Sequence, residues 1–335
     1  MKYSGQRTTG LRNFTKANYN LGSKDMTKAL INASLEEQAG IKSNTHKSRL
    51  PAIRLFGEYL KSETMVKRLN HIERCHVLAF GEYLRDMYET EQTLSEVSAR
   101  DYLSHVNCAL AQARGDDKLK VNATRELQFT PKNGIARHDG SITEQQHSRI
   151  ISNASRPISL IAQLQRAWGL RFREAALLDA SKALKLLDTH GQLAINRGTK
   201  GGQHRWIPLE SQCQRDVLDR VATYQKEKDH DSLIPTEQSF KAFQSAAWRE
   251  IQTIDSCYLT HGERKTYACD YYERHLGAAC PVRSGIPHGR AHHQFIADKL
   301  GISLSSAIAK DRLVRKQLSE NLGHHRISIT NAYLG

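Results

Sequence analysis

Leu322-Gly323-His324-His325-Arg326-Ile327-Ser328-Ile329-Thr330-Asn331-Ala332-Tyr333-Leu334-Gly335 is the last stretch of the sequence. It sets a tyrosine nine residues after a Gly-His pair and three after a threonine. An isolated tyrosine is ordinarily an amphipathic side chain of the surface or core. A phenol with a pKa near 10 becomes a useful nucleophile at neutral pH only with cations and a proton acceptor beside it. If Tyr333 is chemically active, the remaining sequence must supply those cations and a fold that gathers them.

A chain of 335 residues is long enough for about two domains. Hydrophobic residues make up 39% and charged residues 25%, the balance of a soluble globular protein. No run of about 18 apolar residues offers a membrane span. The polar, basic stretch 1–22 lacks the apolar centre of a secretory signal. The six cysteines, Cys75, Cys108, Cys213, Cys257, Cys269 and Cys280, never form Cys-x-x-Cys, so reduced thiols in a cytoplasmic protein are expected. Cys257, His261, Cys269, His275 and Cys280 match no zinc-finger or ribbon spacing. No metal and no cofactor are expected. The net charge of +14 points to a polyanion partner. Residues 1–50 hold nine Lys/Arg against three Asp/Glu, and residues 51–140 hold 13 of each. The excess therefore lies on the N-terminal arm and in the C-terminal half, and no basic amphipathic helix favours a membrane surface.

Residues 1–24 read as a basic flexible arm. Helical periodicity follows over 25–38, 44–62, 71–88 and 93–113, each with one apolar stripe, which predicts a bundle of four helices over 25–115. Residues 116–140, with Pro131, Gly134 and Gly140, read as an extended linker. Ser141 and Glu144 have the spacing of an N-cap and its third helical residue, so a second domain is expected over 141–335. Its helical pattern over 157–178 is broken near Gly169. Residues 193–196 and 204–209 read as two short strands around the glycine-rich turn Gly198-Thr199-Lys200-Gly201-Gly202. Helical patterns return over 212–226, 239–254, 264–276, 291–300 and 310–320. The expected fold class is mainly α with one small β-hairpin.

Four segments of this second domain carry a resemblance. Trp168-Gly169-Leu170-Arg171-Phe172-Arg173-Glu174, the hairpin segment Thr199–Leu209 with Lys200, Thr260-His261-Gly262-Glu263-Arg264, and the closing stretch with His324 and Tyr333 are similar, in that order, to the active-site boxes of the tyrosine recombinases, the phage-type integrases. The form found in integrases of plasmids and genomic islands resembles this chain best. The resemblance implies an N-terminal helical core-binding, SAM-like domain and a C-terminal tyrosine-recombinase catalytic domain. It implies a site-specific recombinase that cleaves and rejoins double-stranded DNA at specific sites through a 3′-phosphotyrosyl intermediate, without metal or ATP. It also implies a homotetramer on DNA, accessory DNA-bending proteins, no membrane partner, and a place beside the bacterial nucleoid in the cytoplasm.

The residue types suit that chemistry. Arg171 and Arg264 would clamp the phosphate, since guanidiniums give planar bidentate donors and stay charged. His261 and His324 would bond the non-bridging oxygens or move protons. Tyr333 would be the nucleophile, Lys200 the general acid for the leaving 5′-oxygen, and Glu174 either a buttress of Arg171 or an ordinary helix carboxylate. His292, His293 and His325 read as structural. Type IB topoisomerase-like DNA relaxation and a catalytically inactive DNA-binding relative are the alternatives. Lys265 stands where the family usually has a histidine. About 280–319 is a basic insertion, with seven Lys/Arg against two Asp/Glu, readable as a DNA-contacting lobe or as a solvated helical elaboration. Only Leu334 and Gly335 follow Tyr333, whereas many relatives pass a further helix to a neighbouring protomer. The protomers would then be joined in another way, or the sequence stops short of that helix.

Overall fold

The computed structural model describes residues 12–131, 133–324 and 326–335, in two compact units, 1–132 and 133–335. In the first unit the four apolar stripes become α1 (Met26–Glu37), α2 (Asn44–Glu63), α3 (Arg74–Glu89) and α4 (Glu96–Arg114). Three start on a side-chain cap: Asp25, Ser43 and Ser95 accept from the backbone N–H of Lys28, His46 and Ser98. Each cap satisfies an N–H that the first helical turn leaves without a partner. Phe56 of α2 meets Phe80 of α3 edge-on at 4.9 Å, and α4 packs against the other three helices.

Two expectations at the borders of this unit are corrected. The arm is not free over its described part: Tyr19 and Leu21 are buried in the helical core, and the Asn18 side chain accepts from Leu69 N–H at 2.8 Å. Residues 1–11 lie outside the described residues. The stretch 116–140 is not an extended linker up to Phe129. Leu119, Val121, Leu127 and Phe129 are buried in the same core around a short helix, α5 (Ala123–Glu126). Asn107 pairs with both backbone groups of Val121. Four apolar residues without helical phase escaped a periodicity reading.

The second unit begins its helices with α6 (Glu144–Asn153). Its cap is Thr143, reciprocated by Gln146, and not Ser141. Ile142 is drawn into the core and its N–H bonds Thr266 Oγ1, which keeps Ser141 outside the first turn. α7 (Arg156–Trp168), α8 (Phe172–Ala176), α9 (Ala180–His190), α10 (Gln212–Lys228) and α11 (Phe240–Ile254) enclose one core with a two-stranded hairpin. The strands β1 (Gln192–Ile195) and β2 (Arg205–Pro208) are antiparallel, with Leu193 opposite Ile207 and Ile195 opposite Arg205. Alternation along β2 buries Arg205 and Ile207 and exposes Trp206.

A second cluster of apolar side chains joins α12 (Thr260–Leu276), α14 (Arg290–Leu300), α15 (Leu304–Asn321) and α16 (Asn331–Leu334), with the short α13 (Pro281–Ser284) ahead of α14. The insertion is therefore not simply a solvated helical elaboration, since one face of it is packed into this core. Ile296, Ala307, Val314 and Leu318 bury against Tyr272, Leu276, Tyr333 and Leu334. Arg315 is buried, and Arg283 pairs with Asp139, Asp270 and Glu273. Arg290, Lys299, Lys310, Arg312 and Lys316 remain exposed.

Candidate active site

The site is assembled where α7 stops. Gly169 closes that helix with φ +62°, and a Cβ there would meet the Tyr267 ring at 2.4 Å. Only glycine fits both the left-handed backbone and the close approach. The turn places Arg171 at the N-cap of α8, with its side chain returning to Glu174: Nη1 reaches Oε1 at 2.6 Å and the backbone N reaches Oε2 at 2.8 Å.

Glu174 is 1% exposed and is a hub, not an ordinary helix carboxylate. Arg205 of β2, itself buried, donates to it from Nη1 at 2.9 Å and Nη2 at 2.7 Å. Nη1 of Arg264 lies 3.9 Å away. Burial alone would raise the Glu174 pKa. The hydrogen bonds and charge of Arg205, with Arg171, outweigh burial and hold it at about 2. One carboxylate thus organises three guanidiniums and leaves two positive charges unbalanced.

Arg264 is wholly buried on α12. Its Nη1 donates to Gly169 O, its Nη2 to Leu322 O, and its Nε to the Tyr333 hydroxyl at 3.2 Å. Burial, with the nearby charges of Arg171 and Arg205, lowers its pKa to about 10, so it stays protonated at neutral pH. The Nε2 of His324 lies 3.3 Å from the Tyr333 hydroxyl and 3.4 Å from Arg264 Nη2. Burial and the charges of Arg264, Arg171, Arg205 and Lys200 lower the His324 pKa to about 4. His324 is therefore a neutral imidazole at pH 7. Since Arg264 can only donate, Nε2 is placed to accept.

His261, one turn before Arg264, sets its ring 5.7 Å from that of Tyr333. The residue is exposed, yet desolvation by the surrounding protein and the charges of Arg264, Lys265 and Arg171 lower its pKa to about 4. Lys265 lies over Gly140 and acts on the site through that charge. Tyr333 is 6% exposed, with the Arg264 guanidinium 5.7 Å from its ring centre. Its short helix is pinned by Arg315, which donates to Asn331 Oδ1 at 2.9 Å and to Gly335 O at 3.4 Å.

The structure brings Arg171, Glu174, His261, Arg264, His324 and Tyr333 together. Lys200 is set apart from them. It sits exposed on the hairpin turn, near enough for its charge to act on His324, and no described residue accepts a hydrogen bond from it. His325 lies outside the described residues. Sequence reasoning missed Arg205 and a second buried hub, Glu263. Glu263 accepts from Tyr258 Oη at 2.8 Å and Arg166 Nε at 2.6 Å, and its Oε1 meets His147 Nδ1 at 2.8 Å. This hub fixes the start of α12 between His261 and Arg264. Arg205 was findable, as a cation two residues before Ile207 and so on the inward face of β2.

Both units have counterparts among known proteins. Residues 26–129 match the family model of the phage integrase SAM-like domain, and residues 136–270 match that of the integrase domain. The solved structure of the Tn1549 transposon integrase in complex with transposon right end DNA is 11% identical, with a TM-score of 0.55 over 92% of this chain and 95% of that one. A lambda integrase dimer bound to a COC′ core site is 15% identical, with a TM-score of 0.50 over 85% of this chain and 76% of that one. A lambda integrase tetramer bound to a Holliday junction is 16% identical, with a TM-score of 0.51 over 81% and 79%. No curated protein matches the sequence. Among the described residues no helix is long and apolar enough to cross a membrane. With both of its units matched in order over more than two thirds of its length, the chain belongs to the phage-type integrase family, the tyrosine recombinases.

Proposed function

We propose that the protein is a site-specific DNA recombinase that cuts and rejoins double-stranded DNA through a phosphotyrosine at Tyr333. The observation that carries this reading is the Tyr333 hydroxyl held 3.2 Å from Arg264 Nε and 3.3 Å from His324 Nε2. A phenol in contact with both a fixed cation and a neutral imidazole has the two aids that its high pKa demands.

In the proposed reaction the non-bridging oxygens of a DNA phosphate meet Arg171, Arg264 and His261, donors set for the charge that builds on phosphorus. Tyr333 Oη attacks phosphorus, and His324 Nε2 takes its proton. The bond from phosphorus to the 5′-oxygen breaks, and Lys200 swings in from the glycine-rich turn to protonate that oxygen. The products are a 3′-phosphotyrosine and a 5′-hydroxyl. The phosphodiester energy is kept in the covalent link, so a 5′-hydroxyl of another strand reverses the step without ATP. The +14 net charge supports binding to the DNA backbone. The likeness to the lambda integrase tetramer bound to a Holliday junction supports four copies acting on two duplexes.

The test is a nicked duplex carrying the DNA that flanks the gene, mixed with the protein without added Mg2+ or ATP. A protein–DNA adduct that survives denaturation and disappears with protease supports the proposal. Adduct formation only with added Mg2+ or nucleotide contradicts it.

A further inference from the structure

The helices between Arg264 and His324 hold a constellation that DNA cleavage does not use. His288 lies in the turn before α14, His293 in the first turn of α14, and Asp311 in α15. The Nε2 atoms of His288 and His293 stand 3.5 and 3.4 Å from Asp311 Oδ2, and the three ligand atoms lie within 4.8 Å of one another. Other histidine–carboxylate pairs in this unit close further, His147 with Glu263 at 2.8 Å and His275 with Glu210 at 3.0 Å. The wider spacing has a chemical meaning. Zinc binds imidazole nitrogen and carboxylate oxygen at about 2.0–2.2 Å, and a tetrahedron of that radius sets neighbouring ligand atoms about 3.4 Å apart.

The surroundings suit a bound ion. Asp311 Oδ1 accepts from Tyr272 Oη and from Arg315 Nε at 3.0 Å. These bonds fix the carboxylate and leave Oδ2 to the two histidines, as an outer shell does around a metal ligand. The side chains of Asp311, His293 and His288 are 4%, 15% and 31% exposed, so the cluster is anchored at one end and reachable at the other. His292 is not part of it, since its Nε2 is engaged by Ala279 O.

We propose that His288, His293 and Asp311 bind one divalent transition-metal ion of the zinc class through Nε2, Nε2 and Oδ2, with water as the fourth ligand. The ion staples the turn before α14 to α15. Through Asp311 and Arg315 it braces Asn331 and Gly335 on either side of Tyr333. It is a structural ion, distinct from the cleavage chemistry at Arg171 and Arg264.

The test is a calorimetric titration of the reduced, chelator-stripped full chain with Zn2+ alone, alongside its thermal melt. One equivalent bound with a raised Tm is expected, and a His288→Ala/His293→Ala double variant should lose both while keeping the metal-free Tm. Absence of stoichiometric binding, or its survival in the double variant, overturns the proposal. Should the double variant fail to fold, Co2+ on the wild-type chain decides. Tetrahedral d–d bands without thiolate charge transfer support the site, whereas a thiolate band or an octahedral spectrum overturns it.

Discussion

Arg264 Nε donates to Tyr333 Oη across 3.2 Å inside the protein, so the cation and the proposed nucleophile meet before any DNA arrives. Arg264 is held in turn by the carbonyls of Gly169 and Leu322, which come from segments far apart in sequence. The site is preorganised from three directions.

Of the two arginines proposed to clamp the phosphate, Arg171 is the more accessible, with a side chain 22% exposed. Arg171→Ala should slow single-turnover adduct formation about 100- to 1,000-fold, the loss of one donor to a developing oxyanion. DNA affinity in a filter-binding assay should change little. Adduct formation within tenfold of wild type would contradict the clamp.

Glu174→Gln leaves Arg205 buried without its counter-charge. Removing one partner of a buried pair costs roughly 3–5 kcal/mol, to be read as a lower urea midpoint at pH 7. The acid limb should respond too. Glu174 titrates near 2 in the fold against an ordinary 4.5, so its stabilisation is present above about pH 4.5 and is lost as pH falls toward 2. The Gln variant should lose that part of the wild-type slope, and an unchanged slope would sink the hub.

His261 and His324 titrate near 4 in the fold against an ordinary 6.5. Below pH 6.5 the unfolded chain takes up protons that the folded chain refuses, so DNA-free stability should fall between pH 6.5 and 4. A bound phosphate offsets the arginine charges that, after burial, depress these groups. DNA binding near pH 5.5 should therefore take up protons, visible as a dependence of the calorimetric heat on the buffer's ionisation enthalpy. Buffer-independent heats would contradict the electrostatic account.

Lys200→Ala should slow cleavage by about 100-fold or more, the typical worth of a positioned general acid. A substrate with sulfur in place of the leaving 5′-oxygen needs no proton and should restore the rate. An equal defect on both substrates would remove Lys200 from that role.

Much of this was legible in the sequence because the site residues sit in short local boxes. Gly169 before Arg171, and His261 one turn before Arg264, carry their geometry with them. Glu263 was not legible as part of the site, and of Arg205 only its inward position on β2 was. Each depends on a partner remote in sequence, Glu174 for one and His147, Arg166 and Tyr258 for the other. The 116–129 stretch was misread for a related reason: Leu119, Val121, Leu127 and Phe129 bury one by one with no shared period. The insertion's positive charge hid its packed face, since buried Arg315 counts in composition like any exposed cation.

The most direct measurement is to digest the denatured protein–DNA adduct and locate the nucleotide by mass spectrometry, with Tyr333→Phe in parallel. The account predicts a phosphodeoxynucleotide on Tyr333, with no adduct from the Phe variant despite intact DNA binding. A modified residue other than Tyr333, or adduct from the Phe variant at the wild-type rate, would contradict it.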